Sequence, residues 1–157
     1  MKIEQITITS PVLGRCSGFI YCIYITSPRP IVYIGETAAK NGPLGRLSYH
    51  MQSNGTFVER CRDHQIDLVQ IDEDIHMLAV NLEAYPKYCG DANKTNRHAL
   101  EYFVNMKMEE YGVSEETTIP FEVVSRATIA TRLALDMSYQ NLAEAIAYDF
   151  VVQLPFK

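Results

Sequence analysis

The chain has 157 residues, 47% hydrophobic and 21% charged, with ten tyrosines, no tryptophan and a formal net charge of −5. That length suits one domain with its own core, and the composition excludes a low-complexity or disordered chain. No apolar run approaches the roughly 20 residues that span a bilayer, residues 1–10 are too polar for a signal-peptide core, and the four cysteines are isolated, so a reduced cytoplasmic protein is expected.

Residues 19–25, F-I-Y-C-I-Y-I, are rich in β-branched and aromatic side chains. After Pro28-Arg29-Pro30 a second such run, Ile31-Val32-Tyr33-Ile34-Gly35, follows, which together predict a β-hairpin. Asn41-Gly42-Pro43 reads as a helix start, and Leu44, Leu47 and Met51 fall at helical spacing, predicting a helix over residues 43–52. Arg46 and His50, four apart, project from one face of it. Residues 66–82 predict a third strand, or two, with Asp72-Glu73-Asp74 in the middle, and residues 84–95 have the composition of an exposed loop. A helix over residues 96–111 follows, capped by Thr95 or Asn96 and stopped by Gly112, with Arg97, His98, Glu101 and Asn105 as a polar stripe. Residues 121–124 predict a short strand, residues 128–148 one or two helices, and residues 150–154 an edge strand.

Taken alone, the net charge argues against a nucleic-acid partner, because phosphate neutralisation supplies most non-specific affinity. Its distribution argues the other way. Residues 15–62 carry Arg15, Arg29, Lys40, Arg46, Arg60 and Arg62 against Glu36 and Glu59, a local balance of +4, whereas residues 63–157 carry 7 basic and 16 acidic residues, a balance of −9. The acidic part favours solubility and limits indiscriminate coating of DNA.

The series Phe19-Ile20-Tyr21, Tyr33-Ile34-Gly35, Gly45-Arg46-x-x-x-His50 and Ala99-Leu100-Glu101 resembles the GIY-YIG nuclease superfamily over residues 18–108. The resemblance implies an α+β fold. Its core would be a small three-stranded antiparallel sheet flanked by helices over residues 18–124, and residues 125–157 would add a helical C-terminal extension to a single domain. It also implies an endonuclease hydrolysing DNA phosphodiester bonds with Mg²⁺ or Mn²⁺. Tyr21, Tyr33, Arg46, His50 and Glu101 would be catalytic, Glu101 would hold the metal, and Lys40, Arg29 and Asn105 would bind substrate. A homodimer is one route to cutting both strands. The other reading keeps the fold as a catalytically silent nucleic-acid-binding or partner subunit.

The residue types suit those roles. Arg46 keeps its charge and grips oxygens with a rigid fork, and a carboxylate is a hard oxygen ligand for a cation that retains several waters. A phenol of ordinary pKa, about 10, is a poor base at neutral pH, so His50, the metal or Arg46 must help the tyrosines. Tyr24 competes with Tyr21 for the first motif. Alternation sends the two to opposite faces, so one of them joins the site, and the preceding Gly18 favours Tyr21. Gly35 is expected to admit a close neighbour, and Glu36 to point outward.

Overall fold

A computed structural model describes residues 18–71, 73–114, 119–128 and 136–156. Strands β1 (Phe19–Ile25) and β2 (Ile31–Thr37) form the predicted antiparallel hairpin, with Tyr21 opposite Gly35 and Ile23 opposite Tyr33. β3 (His76–Asn81) pairs antiparallel with the far side of β1, and the two-residue β4 (Glu122–Val123) pairs parallel with the start of β2. The sheet is therefore mixed and four-stranded, in the order β3-β1-β2-β4, rather than three-stranded and antiparallel throughout. The class is α+β.

Strand alternation divides the core into two. Ile20, Cys22, Tyr24, Val32 and Ile34 face the first layer. It is formed by α3 (Lys94–Gly112) and α4 (Met137–Gln153), through Leu100, Phe103, Val104, Met108, Tyr139, Ala143, Ile146 and Phe150. Tyr21, Ile23, Ile25, Ile31 and Tyr33 face the other. There α1 (Gly42–His50) and α2 (Thr56–Asp63) contribute Leu47, Phe57 and Cys61. No helix among the described residues is long and apolar enough to cross a membrane.

Several elements differ from expectation. Helix α2 had no predicted counterpart, although Phe57 and Cys61 sit four apart, Glu59 lies in its first turn and Arg60 and Arg62 in its last. Only the end of the 66–82 stretch is a strand. Asp67 draws the chain into a turn by accepting from the Val69 amide, so Val69 ends up almost fully exposed. The expected edge strand at 150–154 is the last turn of α4 followed by Leu154, because Ala143, Ala147, Phe150 and Leu154 continue the buried helical stripe and override the β-branched Val151-Val152. The C-terminal extension is thus part of the core. Residues 129–135 of the predicted 128–148 helical segment lie outside the described residues.

Candidate active site

The second layer carries the polar cluster. The Tyr21 hydroxyl lies 2.7 Å from His50 Nε2 in a buried hydrogen bond. The Tyr33 ring meets the His50 ring edge-on at 4.9 Å. Gly35 makes this arrangement possible: a Cβ there would stand 2.3 Å from both Cζ and the hydroxyl oxygen of Tyr21, so any other residue would displace the ring. Tyr24 has no part in it. Its ring stacks on His76 at 4.8 Å and meets Phe156 edge-on on the opposite face, so of the two tyrosines Tyr21 is the one beside His50.

Arg46, one turn before His50 on α1, sits 5.4 Å above the Tyr49 ring, and its charge acts on Tyr21, Tyr33, Glu36 and Glu101. Glu101 comes from α3, in the layer behind the sheet, yet acts electrostatically on both tyrosines. β4 pairs with only the first two residues of β2, and beyond Val32 the Ile34 amide on that edge is taken by the Ser125 hydroxyl. Tyr21, Tyr33, Arg46 and His50 therefore lie together, and Glu101 acts on three of them through its charge.

Burial sets their protonation. The Tyr21 hydroxyl is pushed far above the ordinary phenol value by burial and then by Tyr33, with Arg46 opposing. Tyr33 is pushed up to about 12, by burial first and Glu101 second. Burial and the Arg46 charge hold His50 down to about 4, so its imidazole is neutral at pH 7. Burial, and secondarily the Glu36 carboxylate, raises Glu101 to about 8 against the pull of Arg46.

The sequence-derived substrate contacts fare unevenly. Lys40 is exposed in the connection between β2 and α1. Arg29 sits instead at the hairpin turn, donating to the His64 carbonyl at 2.7 Å and pairing with Glu122 at 3.3 Å, beside an open concavity of about 440 Å³. Asn105 is a core clamp: buried, it donates to Glu109 at 3.0 Å and accepts from the Ser125 hydroxyl, which in turn accepts from the Ile34 amide. Its place on α3 is set by packing, one turn beyond Glu101.

Glu36 does not point outward. It pairs with the buried Arg97 at 2.5 Å and with His98 at 3.3 Å, and Arg97 is itself pinned by the carbonyls of Tyr88 and Gly90. The polar stripe holding Arg97 and His98 was visible in the sequence, but their partner across the fold was not. The Glu36 carboxylate thus lies near enough to Glu101 to raise the cost of ionising it. Glu101 has no hydrogen-bond donor among the described residues, whereas Glu36 has one oxygen on Arg97 and the other beside His98. No group of three or more His, Cys, Asp or Glu suited to a metal occurs among the described residues. A single desolvated carboxylate with an acidic neighbour and no donor still matches a cation that keeps most of its waters. Comparison of the chain with protein-family models, with curated proteins and with solved structures finds no match, so these side chains alone carry the functional assignment.

Proposed function

We propose that the chain is a GIY-YIG-type nuclease, a metal-dependent endonuclease that hydrolyses DNA phosphodiester bonds at the Tyr21, Tyr33, Arg46, His50 and Glu101 cluster. The observation that carries this is the gathering of Tyr21, Tyr33, Arg46 and His50 from β1, β2 and α1 around a buried tyrosine–histidine hydrogen bond, with Glu101 acting on three of them from α3. Three antiparallel strands, β3-β1-β2, with helices on both faces suit that family's core.

The raised tyrosines shape the mechanism. Neither phenol is a phenolate at neutral pH, so neither removes a proton from water unaided. In the tautomer of His50 that carries its proton on Nδ1, Tyr21 donates to Nε2 and turns its oxygen lone pairs towards the site. Those lone pairs take the proton of the attacking water as Tyr21 passes its own to His50 Nε2, the Tyr33 hydroxyl completes the alignment of the water, and the departing oxygen takes its proton from solvent. Arg46 binds the phosphate and stabilises charge that builds on its non-bridging oxygens. Glu101, with Glu36 beside it, would hold Mg²⁺ or Mn²⁺, which supplies charge neutralisation at the phosphate and its leaving oxygen when bound. With one such site per chain, cutting both strands requires a second copy or two successive nicks.

The test is cleavage of supercoiled plasmid, branched DNA and single-stranded DNA with Mg²⁺ or with EDTA, for the native protein and for Glu101→Ala and Arg46→Ala. Cleavage that needs the metal and falls at least about a hundredfold in both variants is expected. Metal-independent cutting, or cutting that survives Glu101→Ala, would remove the metal role. Binding without cutting on every substrate would leave the silent nucleic-acid-binding module.

A further inference from the structure

We propose that Arg60 is a second phosphate-binding residue, taking the phosphate next to the one held by Arg46, so that a bound DNA strand crosses Tyr33 from α1 towards α2. The inference rests on the nuclease reading and extends it to the path of the substrate.

Arg60 reaches the cluster through the packing of α2. Phe57 and Cys61 bury that helix on the α1 side of the sheet, and the Phe57 ring meets Tyr33 edge-on at 5.8 Å. Tyr33 accordingly lies within the field of both arginines. The two share a second property. Four buried side-chain polar atoms lack a hydrogen-bond partner among the described residues; three belong to Arg46, His50 and Arg60, and the fourth is the distant Tyr88 hydroxyl. Buried polar groups are ordinarily satisfied, and three of the four that lack a partner among the described residues belong to side chains grouped with Tyr33, where an acceptor from outside would complete them.

The ion pair of Arg60 with Asp63, at 3.0 Å, engages one terminal nitrogen and leaves the rest of the guanidinium fork unused. A phosphate oxygen matches that planar fork. Asp63 also lies 4.0 Å from Arg126, which is largely exposed, so a further guanidinium stands close to Arg60. In a chain that is acidic overall, such a local gathering of arginines favours a phosphate backbone there.

The experiment measures binding of a fluorescent DNA duplex by anisotropy in a Glu101→Ala background, over a salt series, together with steady-state cleavage in the native background. Arg60→Gln is expected to weaken binding about tenfold, raise KM more than it lowers kcat, and make the slope of log affinity against log salt shallower by about one. Arg60→Lys keeps the charge without the fork and should recover only part of the loss. Asp63→Asn frees Arg60 from its ion pair and should leave binding unchanged or tighter. Unchanged affinity and salt slope in Arg60→Gln would overturn the proposal. So would a loss in Asp63→Asn equal to that in Arg60→Gln, since it would assign the effect to the ion pair within α2. A native protein that binds no DNA at any salt would overturn the nuclease reading itself, an outcome separate from either.

Discussion

The two faces of the sheet are built from the same strands and behave as different materials. On one, Tyr24, Val32 and Ile34 vanish into an apolar layer roofed by α3 and α4, where a tyrosine is simply a large ring stacked on His76. On the other, three residues earlier in the same strand, Tyr21 spends its hydroxyl on a neutral histidine and its ring against a glycine that has room for nothing else. What a side chain is made to meet sets its character here: strand alternation separates a largely apolar face from the one that carries the tyrosine–histidine pair, and Glu101 acts on that pair from α3, in the layer behind.

Several substitutions would break or sharpen that contrast. The largest effect is expected from Gly35→Ala. The added methyl drives Tyr21 off its seat, and displacement by about 1 Å is enough to cost on the order of a hundredfold in rate; the His50 imidazole resonances should shift with it, and an unshifted spectrum with native cleavage would contradict the geometry. On the packing face, Phe150→Ala should cost about 3–5 kcal/mol by leaving a cavity under α4, lowering the melting temperature by on the order of 10 °C. Cleavage well below that temperature should survive, whereas loss of cleavage in a folded variant would show that the two faces are coupled.

A smaller effect concerns acid. His50 faces Tyr21 on β1, Tyr33 on β2, and Arg46 and Tyr49 on α1, none of them a carboxylate that would welcome its charge. Its folded pKa of about 4 lies below the unfolded 6.5, so the unfolded chain takes up the proton first. The His50 contribution to stability is therefore intact above about pH 6.5 and is lost as the pH drops towards 4, and His50→Gln should remove that part of the curve in chemical denaturation. The smallest effect is expected from Tyr24→Phe, which should change stability by less than about 1 kcal/mol and leave cleavage unaltered, while Tyr21→Phe lowers cleavage about a hundredfold or more.

Much of this was legible in the sequence because local pattern carried it. The hairpin announced itself in two β-branched runs, and the four-residue spacing of Arg46 and His50 put both on one helical face. Gly35 declared a close contact without naming Tyr21 as the neighbour. What stayed hidden were partnerships between distant segments. Glu36 read as an outward carboxylate because nothing near it in the chain needs a negative charge; Arg97, 61 residues later, does. Asn105 and Arg29 stood as substrate contacts through the resemblance, which gave no sign that Asn105 accepts from Ser125 or that Arg29 pairs with Glu122, residues of a region whose two-residue strand leaves almost no periodic signal. At 150–154 a run of β-branched residues outweighed, on paper, a helical stripe that tertiary packing enforces.

The chain of hydrogen bonds from Ile34 through Ser125 to Asn105 turns a single amide into a gauge. The Ile34 N–H sits on the edge of β2 beyond its pairing with β4, and its protection from solvent deuterium depends on a side-chain clasp rather than on the sheet ladder. Its exchange rate therefore reports how often the Ser125 clasp, itself anchored to Asn105 on α3, lets go of the strand, long before the molecule as a whole comes apart.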